Sequence, residues 1–190
     1  MTNRVGPRGP VTGQAPRARV QSRVTRVLGV DTSLRSTGFG VVEAVGNSYT
    51  GIVWGQIRNP STRPHSGCLA HLFRELQRIL TEHSPAVVAV EGVFFSKNVR
   101  TAVTLGQARG VVLAVCALNE VPVYEYSPRS VKQAVVGNGN AHKDQVGTMI
   151  RRLLDIGGDL GDDAADALGL AICHLHQSRL PALVKPVSPL

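Results

Sequence analysis

Four carboxylates stand out because of what surrounds them. Asp31 closes the apolar run Val27-Leu28-Gly29-Val30, and Glu91 closes Ala86-Val87-Val88-Ala89-Val90. A short apolar run bounded by turn residues reads as a buried strand. Parallel neighbours in an α/β sheet present their carboxyl ends to one ligand-binding crevice. Asp163 and Asp166 lie three residues apart in a stretch that is otherwise Ala, Leu, Gly and Ile, so on a helix they share a face. An acid in so apolar a setting needs a partner, because an unpaired buried charge is costly. Acids gathered in one crevice repel one another. Hard divalent cations relieve that repulsion, and all-oxygen ligation suits Mg²⁺ or Mn²⁺. Two such ions about 3.5–4 Å apart can clamp the attacking and leaving oxygens of an in-line phosphodiester displacement. Taken singly, each acid also reads as a cap, a turn former or a first-turn helix acid, with Asp162 as the cap of the last helix. Taken together, the residues point to a metal-dependent phosphoryl enzyme and no further.

The elements that must position these acids follow from periodicity and turn signals. Residues 27–31, 38–42 and 49–54 read as strands, with Gly46 and Asn47 turning between the last two. Leu69, Leu72, Phe73, Leu76, Ile79 and Leu80 have the spacing of an amphipathic helix. The strand ending at Glu91 comes next, then an Ala-, Val- and Leu-rich helix over about 99–118 and a strand over 121–126. Ser127-Pro128 has the form of a helix N-cap with proline at the first helical position. A helix near Lys132, a Gly137–Asn140 loop, a helix marked by Val146, Ile150, Leu153 and Leu154, and a last helix over about 162–175 complete the order. Three strands followed by alternating helices and strands make a mixed-sheet α/β domain. The helix after Glu91 is apolar nearly all round, more than a domain of this size can bury, so it is expected to form a dimer interface.

With 190 residues, 43% of them hydrophobic, the chain can bury one real core and form a single domain. Its 21 Lys and Arg against 13 Asp and Glu give a formal charge of +8, which favours an acidic partner such as nucleic acid. The 3 cysteines, Cys68, Cys116 and Cys173, have no metal-site or disulfide spacing and fit inert thiols in a reducing cytoplasm. No apolar run approaches the roughly 20 residues of a membrane span, so no membrane partner is expected. Residues 1–25 hold Arg4, Arg8, Arg17, Arg19 and Arg23, no acid, and repeated Gly and Pro. They read as a disordered basic tail that can touch DNA phosphates, or else as an Arg-rich transit peptide. Residues 179–190, with Pro181, Pro186 and Pro189, read as a second disordered tail, leaving 26–178 as the domain.

Several stretches resemble the RuvC family of Holliday junction resolvases. They are Gly29-Val-Asp31 with Ser36-Thr-Gly-Phe-Gly40, Val90-Glu91 running to Lys97-Asn98, Leu105-Gly-Gln-Ala-Arg-Gly110, Glu125-Tyr126 through Lys132 to Gly137, Ala141-His-Lys143 to Val146, and Asp163-Ala-Ala-Asp-Ala-Leu168 running on to His174. The ordered set covers about residues 26–178. The resemblance implies an RNase H-like α/β fold with a mixed five-stranded sheet flanked by helices. It implies a homodimeric endonuclease of DNA recombination and repair that cuts four-way DNA junctions by two symmetric nicks, working with branch-migration proteins resembling RuvA and RuvB. It implies a site of Asp31, Glu91, Asp163 and Asp166 holding two Mg²⁺, with Mn²⁺ able to substitute, Asp31 bridging the ions, and water as nucleophile. Lys132 and Lys143 match basic positions near the scissile phosphate. An exposed aromatic just past Glu91 could stack on a base. Phe94 and Phe95 both qualify, and the resemblance selects Phe94. His142, His174 and His176 are read as satisfied or exposed rather than as ligands. Two positions depart from the family pattern: Thr32-Ser33 stands where Pro-Gly is usual, and Gly92 where Gln is common.

Three other readings compete. An actin-like ATPase also begins with a Gly-x-Asp strand followed by Ser or Thr, but it needs a second phosphate loop that this sequence lacks. A non-catalytic junction-binding module would not need all four acids. Another RNase H-like nuclease would share the acids but not the matches at Leu105–Gly110 and Arg129–Gly137.

Overall fold

The computed structural model describes residues 24–92, 98–179 and 188–190. Most of the two expected tails, and Phe94 and Phe95, lie outside these residues. Strand β1 (Thr25–Asp31) is followed by β2 (Ser36–Val45), β3 (Ser48–Arg58), helix α1 (His65–His83), β4 (Val87–Glu91), α2 (Val99–Leu118), β5 (Val123–Tyr126), α3 (Pro128–Val136), α4 (Lys143–Leu153) and α5 (Asp162–Gln177). The five strands form one sheet in the order β3-β2-β1-β4-β5. Strands β1, β2 and β3 are antiparallel neighbours, whereas β1–β4 and β4–β5 are parallel, so the sheet is mixed as expected.

The two faces of the sheet carry separate cores, and strand alternation sorts residues between them. Leu28, Val30, Val88 and Val90 pack against α1 and α2 through Leu72, Leu76, Ile79, Val112 and Val115. Val27 and Ala89 point the other way, into a core built from α3, α4 and α5 that includes Val135, Ile150, Leu168 and Ile172. All three cysteines are buried and unpaired. Burial pushes the thiols of Cys116 and Cys173 up to about 12, so neither supplies a thiolate at neutral pH.

Four details differ from the sequence reading. Strand β5 starts at Val123 rather than 121, because the preceding Pro122 has no N–H for a ladder and offers only its carbonyl, to Val88 N. Helix α5 is capped by Gly161, with Asp162 as its first helical residue. At the C-terminal end, Leu190 donates its N–H to the Val123 carbonyl at 2.9 Å on the outer edge of β5, so the final residue is paired rather than loose. Finally, α2 has the length and composition of a membrane span, which corrects the expectation that no apolar run reaches 20 residues. Its placement is that of a sheet-packed helix. Ala108, Val112, Val115 and Cys116 are buried against the α1 side of the core, and Arg109 reaches back to the sheet. Its other face leaves Val99 and Val103 in solvent.

Candidate active site

Register and alternation bring the first two acids together. The parallel pairing of β1 with β4 matches Val30 with Val90. One residue further on, Asp31 and Glu91 stand side by side at the carboxyl ends of the two strands. Both have the parity of Val27 and Ala89, so both lie on the sheet face covered by α5.

Helix α5 supplies the other two acids because glycines let it lie almost on the sheet backbone. A Cβ on Gly29 would sit 1.8 Å from the Ala167 carbonyl oxygen, and one on Gly38 would sit 1.9 Å from that of Asp163. No side chain other than hydrogen fits there. The close approach brings the first two turns of α5, with Asp163 and Asp166, over the ends of β1 and β2.

The electrostatics follow from this crowding. The Asp31 carboxyl is raised from 3.8 to about 7 by burial first, then by the charges of Asp166, Glu91 and Asp163, with Lys143 opposing. Glu91 is raised by burial and then by Asp166. Lys143 Nζ lies 3.0 Å from Asp166 Oδ2 and 3.4 Å from Asp162 Oδ2. Its pKa is raised, chiefly by the hydrogen bond to Asp166. A cavity of about 260 Å³ opens here, lined by Asp31, Glu91, Asp166, Lys132 and Lys143 over an apolar floor that includes Val131, Val146 and Leu170. Both lysines named from the sequence therefore face the cavity that holds three of the acids.

The donor set fits a hard divalent cation. It is all carboxylate oxygen, and burial together with mutual repulsion raises one member to about 7. Among the described residues, no three acid, His or Cys side chains are placed closely enough to hold a metal ion as they stand. Two of the acids have protein partners instead: Lys143 takes Asp166, and Asp163 Oδ2 accepts from Ser36 Oγ and, at 3.0 Å, from Gln56 Nε2.

Sequence reasoning gave no role to Gln56, Arg58 or Arg109. Arg109, on α2, donates from Nη1 to the Glu91 carbonyl at 2.7 Å and from Nη2 to Glu125 Oε2 at 2.6 Å. It ties the end of β4 to both α2 and β5. The match at Leu105–Gly110 contained this arginine without indicating its task. The two departures from the family pattern also meet in space. Thr32 and Gly92 line one small cavity together with Glu91 and Arg109. A Cβ on Gly92 would lie 3.0 Å from Glu125 Oε1. His174 is buried, and its Nδ1 bonds the Tyr126 hydroxyl at 2.8 Å, so it is a satisfied core histidine as expected. His142 is the N-cap residue of α4.

Comparison with known proteins gives a consistent picture. The model of the family described as crossover junction endodeoxyribonuclease RuvC matches residues 27–174. The RuvC endodeoxyribonuclease of Alkalilimnicola ehrlichii is 44% identical over 160 residues, covering 84% of this chain and 96% of that protein. That of Caldicellulosiruptor saccharolyticus is 43% identical over 155 residues, covering 80% and 93%. Among solved structures, T. thermophilus RuvC in complex with a Holliday junction substrate superposes with a TM-score of 0.80 at 30% identity, covering 87% of this chain and 99% of that one.

Proposed function

The chain belongs to the RuvC family of crossover junction endodeoxyribonucleases, and from that premise we propose that it resolves four-way DNA junctions by paired, metal-dependent nicks in recombination and repair. The observation that carries the reading is the pair Asp31 and Glu91, side by side at the carboxyl ends of parallel strands, roofed by the helix that bears Asp163 and Asp166.

Asp31, Glu91, Asp163 and Asp166 would hold two Mg²⁺, or Mn²⁺ in their place. Ions so bound supply an activated water and stabilise the leaving oxygen of an in-line phosphodiester hydrolysis. Around them, the residues of the chain bind and orient. Asp31 at about 7 is poised to exchange its proton for a cation near neutral pH. Lys132 and Lys143 line the cavity and donate to phosphate oxygens, fixing the strand and offsetting developing charge. In the metal-free chain the Lys143 ammonium also steadies Asp166. Arg109 holds the Glu91 backbone in place. Phe94 is assigned to stacking on a base at the opened crossover.

Two nicks on opposing strands need two sites, hence a homodimer. Its contact is assigned to α2, where Val99 is 76% and Val103 55% exposed. The protein is placed in the cytoplasm with partners resembling RuvA and RuvB that migrate the branch. The deciding experiment incubates the protein with a mobile-core four-way junction in Mg²⁺, in EDTA, and with Asp31→Asn in Mg²⁺, beside linear duplex and an RNA–DNA hybrid. Symmetric paired nicks in the junction, absent in EDTA and in the variant, are expected. Cleavage of the hybrid alone, or tight junction binding without cutting, would overturn the resolvase reading.

A further inference from the structure

Four residues on the edge of the sheet form a patch beneath the first turn of α5. In the β2–β3 ladder, Gly38 pairs with Gln56 and Ser36 with Arg58. Directly paired antiparallel residues project to the same face. The face is known from Gly38, whose absent Cβ would strike the Asp163 backbone. Ser36, Gln56 and Arg58 therefore all stand on the side where Asp163 sits, and the bare Gly38 leaves the gap that the longer Gln56 spans.

The hydrogen bonds within this patch have a direction. Ser36 Oγ and Gln56 Nε2 both donate to the same carboxylate oxygen, Asp163 Oδ2, which leaves Oδ1 for a cation or water. Arg58 donates from Nε, at 2.7 Å, and from Nη2 to Gln56 Oε1. A primary amide has one accepting and one donating end. Two guanidinium N–H groups on the oxygen force the NH₂ to the opposite end, towards Asp163. Without them the amide could turn over, and its oxygen would then meet the carboxylate oxygen, lone pair against lone pair. Gln56 is half-buried and Arg58 exposed, so the relay runs from solvent to the acid. Partners of this kind commonly change metal affinity or activity about 10–100-fold when they are lost.

We propose that Gln56 and Arg58 are positioning residues of the metal site. Gln56 holds the Asp163 carboxylate in one orientation, and Arg58 sets the sense of the Gln56 amide. The proposal rests on the assignment of Asp163 as a metal ligand.

The test uses the full chain with Gln56→Met, Arg58→Met, Arg58→Lys and the double Met variant. Mn²⁺ binding is followed by calorimetry, melting temperature without metal reports the fold, and junction cleavage is resolved into kcat and KM. Gln56→Met weakens Mn²⁺ binding about tenfold and lowers kcat with KM unchanged. Arg58→Met reproduces this in the same direction, Arg58→Lys restores part of it, and the double variant is no worse than Gln56→Met alone, because one residue acts through the other. Mn²⁺ affinity within twofold of wild type in Gln56→Met overturns the proposal. Multiplying effects in the double variant, or an Arg58→Met defect confined to KM, overturn the role of Arg58. Should Gln56→Met fail to fold, the exposed Arg58→Met and its Lys rescue decide alone. A wild-type chain that binds no Mn²⁺ sinks the metal-nuclease reading itself, an outcome distinct from a wild type that binds it and a Gln56 variant that is unaffected.

Discussion

Gly38→Ala places one methyl group where the structure has room only for a hydrogen. The new Cβ would lie 1.9 Å from the Asp163 carbonyl oxygen and 2.5 Å from its carbon, whereas contacts under 3.0 Å are essentially never seen. The Cβ is fixed rigidly to the backbone of the second strand and the group it strikes is backbone in the first turn of α5, so no flexible side chain can swing aside. Strand and helix must part by about 1 Å, and a shift of that size at a reacting centre costs on the order of 100-fold in rate. Overpacking of this kind costs about 1–3 kcal/mol of stability, so the fold should survive while the site does not. Gly147→Ala is the control: it lies inside α4, a Cβ there meets nothing within 4 Å, and removing a helical glycine gains up to about 1 kcal/mol. Junction cleavage under single-turnover conditions, Mn²⁺ binding and thermal melting would be read on both variants. Gly38→Ala cutting at the wild-type rate would refute the reasoning, because α5 would then not depend on the bare strand for its position.

Three more outcomes follow from the same geometry. Holding Asp31 at about 7 instead of 3.8 means that the metal-free folded state keeps a proton the unfolded state has already lost. Stability in EDTA therefore falls as pH rises from about 4 through about 7, by on the order of 4 kcal/mol if Asp31 alone bore the effect and less as its neighbours share it. Asp31→Asn should melt higher than wild type in EDTA at pH 8 while being inactive in Mg²⁺; a lower melting temperature refutes this. For His174, burial lowers the pKa below 6.5, so the unfolded chain binds the extra proton. That contribution is complete above about pH 6.5 and is lost as pH falls through the lower folded value, so urea titrations of wild type should show a slope below pH 6.5 that His174→Gln lacks. Arg109→Met removes two charge-assisted hydrogen bonds at a guanidinium only 11% exposed. It should cost about 1.5–3 kcal/mol and reduce cleavage, and Arg109→Lys should recover only part because an ammonium lacks the fork; full activity in Arg109→Met would remove Glu91 positioning from its duties.

The acids themselves were legible in the sequence for definite reasons. Asp31 and Glu91 each end an apolar run that reads as a buried strand with its carboxyl end at a crevice, and Asp163 and Asp166 keep helical spacing within a buried stretch. What joins the two pairs was not legible, because the close approach of α5 depends on side chains that are missing, at Gly29 and Gly38. Ser36, Gln56 and Arg58 converge on Asp163 only through the register of β2 against β3, a tertiary quantity that local pattern does not encode. The extent of α2 was legible, 99–118 in sequence and structure alike, but its mean apolar character was misjudged. Its arginines and glycines interrupt the apolar run on the page, although the helix as a whole has the composition of a membrane span; Asn98 caps its start, accepting from Arg100 N and Thr101 N at 3.0 and 3.2 Å.

The order in which the acids occur along the chain has a consequence for biosynthesis. All five strands lie before residue 127, and of the four acids the sheet they form carries Asp31 and Glu91. The other two acids arrive with the final helix. A nascent polypeptide emerges from its N-terminus, so all five strands leave the ribosome before α5, the helix that covers one face of their sheet, is available. On the proposed function, a chain truncated ahead of Asp163 lacks two of the four carboxylates and is harmless to DNA, and the power to cut arrives only when α5 docks onto the sheet.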